Sequence, residues 1–308
     1  MQITRRRFVL SVLSISLLSC TFAAAEQPAE SFSVVILADT QFYSEKFPET
    51  YVAQTEWIKR RAKADNTKFV VHLGDLVQNP TVEQEWKNCD RAHRVLDGVV
   101  PYSVLPGNHD IAMGHNRVAR NTELYDKYFP PSRFEGQPWY GGHYGETNEA
   151  NFCLFEACGM KFLVLSLPYD PTDEMLGWAG RVVAEHPEHR VIVTTHMYMN
   201  PRGRIKHAER IWTDLISKHA NIFMVLCGHI GATAHRISLN DAGRPVHEIL
   251  CDYQNQPNGG NGWLQTMRFV PAENTIVVKA YSPLLDEGND GPKHTYPLEY
   301  DMSGRDRE

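Results

Sequence analysis

Five segments of this chain end in side chains suited to hold a divalent cation or to move a proton. In Leu105-Pro106-Gly107-Asn108-His109-Asp110 an amide oxygen, an imidazole and a carboxylate stand in consecutive positions. The glycine before them lets the backbone turn sharply, so all three can serve one place at the mouth of a strand. Asp39 follows residues 34–38, Gly74-Asp75 follows 69–73, His196 follows 191–195 and Gly228-His229 follows 223–227. Carboxylates, an amide oxygen and imidazoles suit Mn²⁺, Fe or Zn²⁺, and the lack of a thiolate cluster argues against a structural zinc. Any one of these junctions alone reads as a cap or turn residue; the five together read as one site.

The runs before these residues are short, apolar and β-branched, the pattern of strands buried on both faces. Such strands deliver ligands at their carboxyl ends, in the crevice above an α/β sheet. Residues 49–66 carry Val52, Trp57 and Ile58 among lysines and arginines and predict an amphipathic helix. Residues 81–96 predict another, with Thr81-Val82-Glu83-Gln84 offering a capping box after Pro80. Residues 111–150 read as loop and short helix, and 151–158 with 160–167 as a hairpin turning at Cys158-Gly159, with Cys153 opposite Val164. Helices over 171–185 and 206–219 lead into the strands before His196 and His229. After Gly231 the runs 234–240, 246–253, 263–270 and 275–281, separated by turn signals, predict an antiparallel second sheet.

In this order the segments resemble the signature of the calcineurin-like metallophosphoesterases: Asp-x-His, Gly-Asp, Gly-Asn-His-Asp/Glu, a lone His, then Gly-His-x-His. The matching residues are Asp39-Thr40-Gln41, Gly74-Asp75, Gly107-Asn108-His109-Asp110, His196 and Gly228-His229-Ile230-Gly231. The resemblance, from about residue 31 to the strand after His229, implies an α/β fold with a two-sheet β-sandwich core flanked by helices; the length and the lack of a linker or repeat predict one domain over residues 26–308. The resemblance also implies two divalent ions, Mn, Fe or Zn, about 3.5–4 Å apart and bridged by Asp75. Asp75, Asn108, His196 and His229 would hold the second ion, and Asp39 and Gln41 with Asp75 the first. His109 would donate a proton to the leaving oxygen, a role worth about 10² to 10⁴ in rate. In many relatives an Asp three residues beyond the bridging Asp orients this histidine. Gln78 stands there in this chain, so orientation falls to Asp110 or to a backbone carbonyl.

Two positions depart from the signature, and both concern the first ion. The Gln41 amide is a weaker donor than imidazole, and Gly231 has no side chain where the pattern has its last His. A weaker, more exchangeable first ion is therefore expected. Asp252, at the end of the returning run 246–251, is a candidate replacement ligand or else a turn residue. Tyr198, Arg202 and Arg204 lie in the segment after His196, where guanidinium groups could grip phosphoryl oxygens or stay solvated. Tyr198 with Trp139 and Trp263 could wall a substrate, or belong to the core.

Residues 4–10, Thr-Arg-Arg-Arg-Phe-Val-Leu, match a twin-arginine export motif, and the apolar stretch after it is too short to span a bilayer. Cleavage after Ala25 is preferred, which makes residues 1–25 a signal peptide and the mature chain periplasmic or extracellular, without a transmembrane span. Lipid anchoring at Cys20 is the alternative. The formal net charge is −6, and losing residues 1–25 removes Arg5, Arg6 and Arg7 but no acid. Such a chain lacks the basic stripe that holds a polyanion, so a standing nucleic-acid partner is disfavoured. The remaining cysteines, Cys89, Cys153, Cys158, Cys227 and Cys251, have no CxxC spacing.

These features together predict a metal-dependent phosphoesterase acting on a phosphomonoester or phosphodiester, such as a nucleotide or a lipid headgroup. The alternative is a non-catalytic binding protein on a degenerate phosphoesterase scaffold, suggested by Gln41 and Gly231. Retention of His109 favours the enzyme, because a binder has no need of a proton donor.

Overall fold

The computed structural model describes residues 31–113 and 120–303; the twin-arginine motif, the cleavage site after Ala25 and Cys20 lie outside the described residues. The apolar runs before Asp39 and Asp75 are the strands Phe32–Leu37 and Thr67–His72, which pair in parallel, with Tyr102–Ser103 added beyond them. Leu264–Val270 pairs antiparallel on the other side of Phe32–Leu37, followed by Thr275–Ser282. Glu287–Asn289 and Thr295–Glu299 complete a seven-stranded sheet. The second sheet, also seven-stranded, runs in the order Thr233–Leu239, Pro245–Cys251, Ile222–Cys227, Arg190–Thr195, Met160–Leu167, Asn151–Ala157, Tyr140–His143.

Strand alternation explains the layering. Phe32, Val34 and Ile36 of the first sheet meet Phe162, Val164, Ile192, Met224 and Ile249 of the second in a shared inner core. Val35, Leu37 and Val70 point outward, under the helices Pro48–Arg61 and Glu83–Arg94. Leu163, Leu165, Val191 and Val193 do the same on the far side, under Asp173–Glu185 and the helical turns ending at Ile216. The result is two sheets face to face with helices on both outer faces.

Some sequence expectations change. The four runs after Gly231 do not form a sheet of their own: two join each existing sheet, and Pro245–Cys251 pairs in parallel with Ile222–Cys227. Hydrophobic alternation says that a segment is a strand but not which strand it pairs with. A short helix, Gln41–Lys46, precedes the expected one, which ends at Arg61. The capping box does not form, because Glu83–Arg94 starts at Val82 without a side-chain cap. Instead the Glu85 carboxylate accepts from the backbone N–H groups of Gln78 and Asn79. The hairpin does form, with Cys153 opposite Val164. Among the described residues no helix is long and apolar enough to cross a membrane.

Candidate metal centre

All five chemically suited segments emerge at carboxyl ends of strands, but from two sheets rather than one. Asp39, Asp75 and the Asn108-His109 pair follow strands of the first sheet; His196, His229 and Asp252 follow strands of the second. Approach is close enough to require glycine at two joints. A Cβ on Gly107 would lie 2.2 Å from Asp75 Oδ1, and one on Gly228 would lie 2.1 Å from Asp39 Oδ2. The backbone itself is bent at three donors, with φ of 52° at Asp39, 54° at Asp75 and 72° at His229.

Ligand atoms of Asp75, His196 and His229 all lie within 4.8 Å of one another. His196 Nδ1 lies 2.9 Å from the Leu73 carbonyl oxygen, which can only accept, so the ring proton sits there and Nε2 keeps its lone pair. That Nε2 is 2.9 Å from Asn108 Oδ1, 3.3 Å from Asp75 Oδ1 and 3.2 Å from His229 Nδ1. An imidazole lone pair faced by a carboxylate oxygen and an amide oxygen is repulsive unless a proton or cation sits among them. Burial pushes the His229 pKa down to about 4, with His196 adding to the shift, so His229 is neutral and free to ligate. Burial also opposes charge on His196, but the neighbouring Asp75 carboxylate outweighs it and raises the pKa. The four residues fit a divalent cation.

Beside them lies a second group. Asp39 Oδ1 accepts from the His229 backbone N–H at 2.9 Å, whereas Asp39 Oδ2 and Gln41 Oε1 are buried without a hydrogen-bond partner. Burial, Asp252 and Asp75 together hold the Asp39 pKa well above the usual carboxylate range. Asp252 is buried here too; burial pushes its pKa up to about 6, although the Gln254 backbone N–H and side chain both donate to it. Gln254 was not picked out by the sequence reading. Its Oε1 accepts from Gln41 Nε2 at 2.6 Å, and Gln41 Nε2 is 3.3 Å from Asp75 Oδ2. The space a side chain at position 231 would need is filled by Asn255, whose Nδ2 lies 2.0 Å from where a Cβ on Gly231 would sit.

His109 borders this group. Its backbone N–H donates to Asp75 Oδ1 at 2.9 Å, and its ring Nδ1 donates to the Gln78 carbonyl at 3.0 Å. A main-chain carbonyl, not Asp110, therefore orients the ring. Of the two alternatives it is the carbonyl that serves; the Asp110 carboxylate accepts instead from the N–H groups of Leu76, Val77 and Gly107 and straps the two ligand loops together. Burial, then Asp75, raises its pKa to about 7.

The expected substrate contacts need correcting. Tyr198 is fully buried in the outer core of the second sheet. Arg204 donates to Glu248 at 3.0 Å and lies 3.9 Å over the Trp212 ring, so it is committed to the protein. Arg202 sits at the exposed turn of the small hairpin Met199–Asn200 and Gly203–Arg204, which folds over that outer face. Trp139 packs against Phe69 and Phe134, and Trp263 against Tyr253. The aromatic residue that does border the centre is Tyr169, half-buried, with its ring 6.1 Å from those of His196, His229 and His207. The sequence held one signal for it: Tyr169 comes two residues after a buried strand of the second sheet.

Comparison with known proteins agrees with this geometry. Residues 32–232 match the calcineurin-like phosphoesterase family. The chain is 35% identical over 275 residues to YvnB of Bacillus subtilis, an uncharacterized protein, covering 87% of this chain and 21% of that one. It is 24% identical over 201 residues to GpdQ of Arcobacter nitrofigilis, named a probable glycerophosphodiester phosphodiesterase, covering 60% and 65%. The chain thus spans less than two thirds of either relative. Its fold is similar to purple acid phosphatase PPD1 from yellow lupin seeds (TM-score 0.57, 12% identity, covering 90% of this chain and 55% of that one). It is also similar to GAP50, the anchor in the inner membrane complex of Plasmodium (TM-score 0.53, 15% identity, covering 88% and 89%). With signature residues at strand ends of two sheets and a family match across most of its length, this chain belongs to the calcineurin-like phosphoesterases.

Proposed function

We propose that the protein is a metal-dependent phosphoesterase that hydrolyses a small phosphomonoester or phosphodiester. One observation carries this reading: the lone pairs of Asp75, Asn108, His196 and His229 converge beside a histidine that has a free ring nitrogen. Asp75, Asn108, His196 and His229 would hold one ion, and Asp39, Asp75 and Gln41 take part in a second. Divalent cations bound at such a centre make water a stronger nucleophile and neutralise charge on phosphoryl oxygens. The remaining chemistry falls to His109. With Nδ1–H held by the Gln78 carbonyl, Nε2 is the ring atom left to pass a proton to the leaving-group oxygen. Its backbone N–H, held by Asp75, keeps the ring next to the ligands.

Similarity to a protein named as a glycerophosphodiester phosphodiesterase supports a small diester among the substrates. The motif at residues 4–10 supports action outside the cytoplasm. The rival reading, a binding protein on this scaffold, is favoured by the Asn255 side chain where the family pattern has a ligand. The test is turnover of aryl phosphomonoesters and phosphodiesters by the purified protein with Mn²⁺, Fe²⁺ and Zn²⁺, alongside His109→Ala. Metal-dependent turnover that falls in His109→Ala is expected. No turnover with any of these ions, or turnover that ignores the substitution, favours the binding protein.

A further inference from the structure

A buried histidine outside the ligand set joins the two loops that carry Asp39 and Asp75. His72 closes the strand Thr67–His72, which pairs in parallel with Phe32–Leu37. The Gly74 backbone N–H donates to its Nδ1 at 3.2 Å. That group can only donate, so Nδ1 accepts and the ring proton sits on Nε2. Nε2 in turn donates to Thr40 Oγ1 at 2.9 Å. One ring thus reaches from the residue before Asp75 to the residue after Asp39.

The main chain that the ring holds is sharply bent. With φ of 91° at Gly74, 54° at Asp75 and 52° at Asp39, all three are left-handed, and a residue other than glycine stays there only where its surroundings hold it. The main chain itself adds one long bond between the bends, from Asp39 N–H to the Gly74 carbonyl at 3.3 Å. Gly74 is also closely packed: a Cβ there would lie 2.8 Å from the Gly107 nitrogen and 2.9 Å from His196 Nδ1. A shift at Gly74 is therefore passed to Asp75, to His196 and to the loop that carries Asn108.

We infer that His72 is a positioning residue of the metal centre, setting the spacing of the Asp39 and Asp75 loops through one hydrogen bond to each. The inference rests on the phosphoesterase reading for the presence of an ion, and it gives His72 no contact with metal or substrate. Residues that orient ligands in this way are worth about 10- to 100-fold in metal affinity.

Two substitutions separate the bonds. His72→Asn sets an amide oxygen where Nδ1 stands and keeps the bond from Gly74, while His72→Gln sets an amide nitrogen where Nε2 stands and keeps the bond to Thr40. The full chain and each variant, stripped with a chelator and checked for folding by circular dichroism, are titrated with Co²⁺, whose visible absorption bands report the arrangement of its ligands. His72→Leu should weaken Co²⁺ binding by about tenfold or more and alter the bands, and His72→Asn and His72→Gln should weaken it less. Thr40→Val should weaken binding in the unsubstituted chain and in His72→Gln, but add nothing to His72→Asn, which has already lost that bond. Unchanged affinity and bands in the folded His72 variants, with only the urea midpoint lowered, overturn the inference, since a residue serving the fold alone behaves so. A Thr40→Val loss as large in His72→Asn as in the unsubstituted chain also overturns it. Should His72→Leu fail to fold, His72→Asn and His72→Gln decide; should none of the three fold, Thr40→Val in the unsubstituted chain decides. Tight Co²⁺ binding without turnover by any ion sinks the phosphoesterase reading and leaves this inference standing. Failure of the unsubstituted chain to bind Co²⁺ overturns both.

Discussion

The ring of His109 is oriented by the main-chain carbonyl of Gln78, 3.0 Å from Nδ1, and not by a carboxylate. The side chain at position 78 therefore takes no part in orienting His109, although the position is the one where many relatives carry the orienting acid. Gln78→Ala should leave kcat within about twofold, whereas His109→Ala should lower it by about 10² to 10⁴. Steady-state kinetics on both variants with one aryl phosphate ester checks this. Equal losses would show that the Gln78 side chain takes part.

Asp110 is a structural carboxylate inside the centre. Asp110→Ala leaves the N–H groups of Leu76, Val77 and Gly107 without their partner, at roughly 1–3 kcal/mol for each buried donor. Urea denaturation should show a loss of that order, together with weaker metal binding because the Asp75 and Gly107 loops come apart. A variant that keeps full stability yet loses turnover would place Asp110 in the chemistry after all.

Gly228→Ala forces a methyl group against Asp39 Oδ2, 2.1 Å away, and the carboxylate must move. Calorimetric titration should show the ion nearest Asp39 lost or weakened by about tenfold or more. Gly177→Ala is the control. It lies on the helix Asp173–Glu185, its added methyl would meet only Arg181 Nη1 at 3.8 Å, and it should leave metal binding unchanged.

The fold should lose stability in acid through His93, which is buried among Tyr51, Cys89, Tyr102 and Phe129. Burial, then the charge of Arg133, lowers its pKa to about 3, with Cys89 and Asp90 opposing. The unfolded chain takes up this proton near pH 6.5 while the folded chain does not. Stability therefore falls between about pH 6.5 and about 3, at up to roughly 1.4 kcal/mol per unit. Urea midpoints at pH 7, 6 and 5 should fall less steeply for His93→Gln than for the unsubstituted chain. Parallel slopes would mean that His93 already carries its proton in the folded state.

The donors were legible in the sequence because five buried strand runs each give way to a metal-competent residue, and the set of five, unlike any one junction, has few other purposes. Asp39, Asp75, Asn108, His196 and His229 all share this mark. Gln254 and Asn255 do not: they lie past Asp252 in an irregular loop, and only the return of Pro245–Cys251 beside Ile222–Cys227 brings them to the centre. Tyr198 and Arg204 failed for the opposite reason. They are near His196 in sequence, but the small hairpin carries them over the outer face, where Glu248 holds Arg204. Distance along the chain was a poor guide to which way a loop turns. The same blindness to partners hid the division of the last strands between two sheets.

Left-handed backbone at Asp39, Asp75 and His229 has a consequence for how this protein tolerates change. Each such residue costs up to about 1 to 2 kcal/mol that glycine would not, and the cost is heaviest for histidine. His229→Gly should therefore give a chain that resists heat better than its parent while having surrendered an imidazole. Selection for thermostability alone would erode this protein at the residues the proposed chemistry needs most, and its sturdiest descendants would be its idlest.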